Sequence, residues 1–239
     1  MKRLLSIPFF VLSLSVAPAQ EVAWLPSPDA KTLAMGGVAM TALSGSHPIY
    51  SNPAMAAFSL MPSQVSSSYY GQGKSNYYAV TGYWRFDNFN LTQIGWRQFF
   101  REQGGNDMAV DLGYSRRIGD RWAVGGVTRY MHFKRSEGSG DALAVDLSVG
   151  WMKPLNSVGD FSTLRVGAKL GNLGGYFHKS DYSLPISLTA GVALDTFLSD
   201  AHELTVGADF GYCFSPSSVR GCQVSVGAEY NLMQLVQFR

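Results

Sequence analysis

Of 239 residues, 46% are hydrophobic and only 15% are charged, with 26 glycines and 13% aromatics; soluble domains carry about 25% charged residues. Formal net charge is +2, and without Lys2 and Arg3 the two signs balance, so nothing here favours a nucleic-acid partner. No run approaches the roughly 18 consecutive apolar residues of a membrane-spanning helix, so the low charge needs another explanation.

Residues 1–19 are expected to be a secretory signal peptide. Lys2 and Arg3 form its charged part, residues 4–16 its apolar part, and Ala17-Pro18-Ala19 a small-x-small cleavage site. A short buried helix is the competing reading. No cysteine follows the site, so lipid attachment is not expected there. Residues 20–62 lack sustained alternation and are rich in Ala, Met, Gly, Ser and Pro. They are expected to form a short helix or two with loops, packed as a plug in a lumen.

Residues 63–239 are expected to form the barrel, and from about residue 64 to residue 230 the chain alternates. Leu143, Val145, Leu147, Val149 and Trp151 share one face, and Ala144, Asp146, Ser148 and Gly150 the other. A period of two is the strand period. Strands are predicted over residues 64–70, 77–85, 89–99, 108–117, 122–134, 142–152, 164–173, 186–194, 203–213 and 223–230. Segments of about ten residues with one apolar face suit an antiparallel up-and-down β-barrel in an outer membrane. Together with the signal peptide, this points to a Gram-negative outer membrane and its lipid. Asp87-Asn88, Ile118-Gly119-Asp120-Arg121 and Asn231-Leu232 read as tight periplasmic turns. The connections 101–107, 136–141 and 174–185 read as longer outer loops, while 153–163 and 196–202 look long for periplasmic turns.

The polar phase of these strands carries Asp111, Arg129, Asp146, Arg165, Lys169, Asp209 and Glu229. Facing lipid, each would cost about 2–4 kcal/mol at the bilayer midplane, so they are assigned to the lumen. There they either hold the plug through salt bridges or line a polar path. Tyr69, Tyr70, Tyr77, Tyr78, Trp84, Trp96, Trp122 and Trp151 are expected to form an interfacial aromatic belt. Cys213 and Cys222 flank a predicted outer hairpin loop, and an oxidising export route favours a disulfide between them. Residues 233–239 read as the start of a further strand. Because bacterial barrels usually have an even strand count, a truncated chain is expected, with a ten-stranded barrel carrying a short tail as the competing reading.

Residues 29–58 read DAKTLAMGGVAMTALSGSHPIYSNPAMAAF. This resembles the N-terminal signature of the PorV/PorQ family, FadL-like outer-membrane barrels of Bacteroidetes, at Met35, Gly36, Gly37, Tyr50, Asn52, Pro53 and Ala54. Leu170-Gly171-Asn172-Leu173-Gly174 with Leu184-Pro185, and Gly227-Ala228-Glu229-Tyr230 with Phe238-Arg239, resemble two later family signatures. Gly36-Gly37 would allow a tight turn or close approach to the wall, and Asn52-Pro53 would start a helix. The resemblance implies up to fourteen strands in an intact relative, and one of two jobs. One is a non-enzymatic accessory role in type IX-like protein export, with a secretion translocon or surface-attachment protein as partner. The other is passive transport of a hydrophobic ligand across the outer membrane. The longest outer loop is polar at its centre, which leans towards the first.

Catalytic signatures are missing from the sequence: no phosphate-binding glycine loop, no Gly-x-Ser-x-Gly and no histidines at metal-ligand spacing. His47, His132, His178 and His202 are scattered and expected to be solvated or interfacial. The chain is therefore expected to be no enzyme and to carry no cofactor or metal.

Overall fold

A computed structural model of the protein describes residues 25, 27–43, 45–102, 105–135, 138–155, 161–177, 183–199, 201–233 and 235–239. The expected signal peptide and His178 lie outside them. Two short helices come first: α1 (Ala30–Ala34) and the 3-10 helix Pro53–Phe58. Asp29 caps α1, accepting the Lys31 N–H and the Thr32 hydroxyl, as a buried carboxylate at a helix N-terminus should. Asn52 caps the second helix by accepting the Ala54 N–H, and Pro53 fills its first turn, where a missing donor costs nothing.

Eleven strands follow: β1 (Ser63–Gln72), β2 (Ser75–Arg85), β3 (Asn90–Phe100), β4 (Asn106–Ile118), β5 (Trp122–Arg135), β6 (Gly138–Leu155), β7 (Ser162–Tyr176), β8 (Ile186–Ser199), β9 (His202–Ser215), β10 (Gly221–Leu232) and β11 (Val236–Phe238). They form one antiparallel sheet in sequence order. The predicted strands fall inside β1 to β10 apart from single-residue overhang at Phe89. The expected closure is not made: β1 pairs only with β2, and β11 pairs with β10 only over Tyr230–Leu232.

The sheet nevertheless curls. One face of the strands, from His47 against Ser68 of β1 to Gly36 against Val226 of β10, meets the same N-terminal segment. The alternation selects that face. In β4, Asp107, Ala109, Asp111, Gly113 and Ser115 are buried, while Val110, Leu112 and Tyr114 between them are exposed. A one-residue slip would reverse every such pair, so the register is strongly specified.

Several connections are shorter than predicted, because the strands run further. β8 and β9 leave only residues 200–201 where residues 196–202 were expected, and β5 and β6 leave only residues 136–137. Of the expected belt, Tyr69, Tyr78, Trp84, Trp122 and Trp151 lie on the outward phase near strand ends. Trp96 is outward but in the middle of β3, opposite Val80 and Val110. Tyr77 is buried on the inner side, with Tyr70 stacked on it at 4.7 Å. Adjacent residues of a strand cannot share a face.

The disulfide is not formed, and Cys213 and Cys222 are free thiols. Cys213 pairs with Gly221, and Cys222 with Tyr212. The two cysteines are thus one step out of register and point to opposite faces, beyond the reach of an S–S bond. Two alkylated cysteines per chain are expected from the non-reduced, denatured protein; mass spectrometry finding none would contradict the register.

Candidate functional site

The sheet's inner face and the N-terminal segment form one packed lumen in layers. Nearest the β7–β8 connection, Ala109, Met131, Phe133, Ala142, Ala144 and Leu184 cluster, with Leu25 and Tyr176 against them. At the other end, Ala54, Met55, Ala57 and Phe58 of the 3-10 helix pack on Ala123. Between them lie Ile49, Tyr50 and Val127 and a set of buried charges.

All seven lumen charges named from sequence lie on the inner face, and each meets a partner. Arg129 lies between two carboxylates, donating to Asp111 at 2.5 Å and Asp146 at 3.0 Å. Its third bond goes to Asn172 Oδ1 at 2.8 Å. Asn172 in turn donates its N–H to Asp146 at 2.7 Å and its side-chain amide to the Pro185 carbonyl at 3.0 Å. It has φ 58° and sits where the β6–β7 register shifts between Val145 and Leu147. Such a bulge re-aims a side chain, and Asn tolerates the left-handed backbone better than most residues. The Leu-Gly-Asn-Leu-Gly and Leu-Pro blocks therefore touch each other through Asn172.

The remaining charges grip the N-terminal segment, mostly by its main chain. Asp209 accepts the N–H groups of Ala39 and Met40 at 2.6 and 3.0 Å. Arg165 donates to the Thr41 carbonyl at 2.6 Å and pairs with Asp195, which also accepts the Thr205 hydroxyl. Lys169 donates to the Tyr50 carbonyl at 2.7 Å. Glu229 accepts from Lys31 at 3.0 Å and from Arg239 at 2.5 Å.

The motif residues lie where those grips converge. Gly36 and Gly37 have φ 64° and 93°. A Cβ on Gly36 would sit 2.5 Å from the Val226 carbonyl, and one on Gly37 2.7 Å from Ser225 Oγ. The turn and the close approach both require glycine there. Met35 is buried, its main chain so close to Gly227 that no side chain fits there. Tyr50 stacks under the Arg97 guanidinium, 4.0 Å from ring centroid to carbon. Asn52 donates to the Met40 and Val149 carbonyls at 2.8 and 3.1 Å, joining two stretches of the segment to β6. The Pro53 carbonyl accepts from Gln93 and Ser115, and the Ala54 N–H reaches Ser148 Oγ.

Sequence reasoning missed Arg97, Asp195, Gln93, Ser115 and Ser148, although each lies on the inner phase of its strand. The charge phase could not tell that the uncharged Gln93, Ser115 and Ser148 would meet backbone; Asp195 falls one residue past the predicted strand 186–194, whereas Arg97 was readable on the inner phase of 89–99. His47, expected to be solvated or interfacial, lies at the interface between the segment and the wall and is not solvated. This side chain is fully buried, with Nδ1 2.7 Å from Thr81 Oγ1 and Nε2 2.7 Å from Ser68 Oγ. His132 is half-buried against Asp141, and His202 against Tyr230. Burial holds the His47 ring below its usual pKa of 6.5, with Asp29 opposing and Arg97 assisting. The unfolded segment then binds a proton more readily than the docked one. Docking is strongest above the unfolded pKa and weakens as the pH falls below about 6.5. Protease protection of the segment should therefore decline from about pH 7 to pH 5, and His47→Gln should flatten that decline. An unchanged profile in H47Q would assign the titration elsewhere.

A cavity of about 20 Å³, enough for roughly one water, lies between the segment and β7–β9, lined by Lys31, Val38, Thr41 and Arg165 among others. Among the described residues no cluster of His, Cys, Asp or Glu could hold a metal ion. Compared with known protein families and with curated proteins, the chain matches none.

Proposed function

We propose that this chain is an integral outer-membrane barrel protein of the PorV/PorQ kind, acting without catalysis as an accessory of type IX-like protein export to the cell surface. The observation that carries this reading is that, among the described residues, the N-terminal segment covers the inner face of the sheet. The N-terminal segment is bonded to the wall from β1 to β10, and the cavity beside it holds about 20 Å³. A passive transporter needs a path wide enough for its cargo. A packed lumen leaves the rims and connections as the surfaces that can act, which suits a protein partner better.

The membrane half of the proposal rests on the outward face. Val80, Ile94, Leu112, Val124, Leu147, Val192, Phe210 and Val226 are all exposed there. The charged outward residues Arg116, Lys134, Asp141 and Lys153 all fall near strand ends. From residue 143 to 151, at about 3.3 Å per residue and a tilt near 40°, the belt is roughly 20–25 Å tall, the thickness of an outer-membrane apolar band. In water such a face would be a large aggregation surface.

Native mass spectrometry of the protein, extracted from outer membranes in mild detergent, tests the proposal. A stoichiometric co-purifying protein is the expected result. A bare barrel carrying a hydrophobic molecule would replace it with the transport reading.

A further inference from the structure

We propose that the outward rim of β4–β6, at the end where β4 turns into β5, binds the phosphate of an anionic lipid. The inference rests on the membrane reading above and goes beyond it by naming a lipid class and the residues that select it.

Most cations among the described residues are already committed. Those of the lumen are engaged as described, Arg101 pairs with Asp107, and Arg85 and Arg117 donate to main-chain carbonyls. Among the described residues, Arg116, Arg121, Lys134 and Lys153 have no hydrogen-bond or ion-pair partner. Lys134 lies at the far end of β5. The other three gather at one rim.

The register gives their arrangement. Trp122 of β5 pairs with Trp151 of β6, ring centroids 6.4 Å apart, both on the outward phase. Lys153 is two residues beyond Trp151 on the same face of β6. Arg116 of β4 pairs with Val124, two residues from Trp122 on the other side. Diagonal neighbours at this offset are about 7–8 Å apart, within reach of long side chains. Arg121 stands in the turn, its carbonyl accepting the Met152 N–H at 2.9 Å. Cations thus flank a tryptophan pair at the edge of an apolar belt. Tryptophan sits at headgroup depth, and arginine and lysine beside it reach the phosphates.

The acidic groups at this rim leave an excess of positive charge. Asp87, whose oxygens accept the N–H groups of Phe89 and Asn90 and the Asn90 side chain, keeps its charge and faces Arg116. Asp120 adds a second negative charge in the turn beside Arg121, and against these two stand Arg116, Arg117, Arg121 and Lys153. The cations lie outside the packed lumen and next to the tryptophan pair, so the phosphate they meet belongs to a lipid, not to a soluble anion.

The test uses the full chain in phosphatidylcholine vesicles containing a minority of phosphatidylglycerol, with lipids retained on the protein counted by native mass spectrometry. For a net excess of two positive charges at a membrane surface, the ratio of retained phosphatidylglycerol to phosphatidylcholine is expected to exceed the supplied ratio by on the order of thirtyfold. The variant carrying Arg116→Gln, Arg121→Gln and Lys153→Gln should retain the two lipids in proportion to their supply, while Lys134→Gln keeps the preference. Equal enrichment in the triple variant and the parent would overturn the proposal. Displacement of the retained lipid by inorganic phosphate would also overturn it, in favour of a soluble-anion site. Resistance to alkaline extraction from pure phosphatidylcholine vesicles is read separately. If the parent fails to insert there, the membrane reading falls and this inference with it; if it inserts without enrichment, only the lipid site falls.

Discussion

Arg129→Leu is expected to destabilise the folded sheet by about 3–5 kcal/mol, because it strands two carboxylates in the packed lumen. Asp111 is fully buried and Asp146 nearly so, and Arg129 donates to both. Arg97 offers Asp111 only a long second contact, at 3.7 Å. The loss therefore comes less from the missing attraction than from charges left without compensation. Urea unfolding followed by tryptophan fluorescence measures it. Arg129→Lys keeps the charge but not the fork that spans both carboxylates and Asn172, and should fall between parent and leucine variant. Adding Asp111→Asn to Arg129→Leu should recover part of the loss, since one stranded charge is removed. An unfolding free energy for Arg129→Leu within about 1 kcal/mol of the parent would mean that water reaches these carboxylates.

Gly167→Val should expel the N-terminal segment and leave the sheet in place. A Cβ at this position collides with the Met40 carbonyl and comes within 2.6 Å of Asn52 Nδ2. Neither neighbour can yield cheaply, because that same Asn52 amide holds the Met40 and Val149 carbonyls. Losing these bonds and the contacts behind them should raise the rate of tryptic cleavage at Lys31 by on the order of a hundredfold, equivalent to roughly 3 kcal/mol of lost docking. Far-UV circular dichroism should stay strand-like. Gly175→Val is the control, since nothing lies within 4 Å of its Cβ. Equal protection of Lys31 in both variants would show that the segment is held by something other than the Met40–Asn52 contact.

The strands were legible because two signals coincide in them. Apolar residues occupy one phase of β4 to β10, and charges at Asp111, Arg129, Asp146, Arg165, Lys169, Asp209 and Glu229 occupy the other, so no alternative register buries one set and exposes the other. Asn52-Pro53 was legible for a local reason: a capping side chain followed by a residue that needs no donor describes a helix start on its own. Closure was not legible, because it depends on pairing between β1 and the far end of the sheet. The cysteines were misread because closeness along a hairpin says nothing about faces until its register is known, and here that register offsets them by one residue. The belt was misread where the sequence did hold the answer, since neighbours such as Tyr69-Tyr70 and Tyr77-Tyr78 must point opposite ways. Arg97 and His47 escaped notice because their roles depend on partners far along the chain, Tyr50 and Asp111 for the first, Ser68 and Thr81 for the second.

The wall addresses the N-terminal segment mainly through peptide groups: Asp209 takes two N–H groups, while Arg165 and Lys169 each donate to a carbonyl. Every amino acid except proline offers the same peptide groups, so these bonds place no demand on which side chains residues 39–41 carry. Identity is constrained instead by burial, as at Met40 and Thr41, and at points such as Gly36, Gly37 and Asn52, where a side chain or its absence is itself the contact. Descendants of one ancestor could thus drift apart in spelling while keeping the same interior, and kinship among such proteins would survive in geometry after it had faded from the letters.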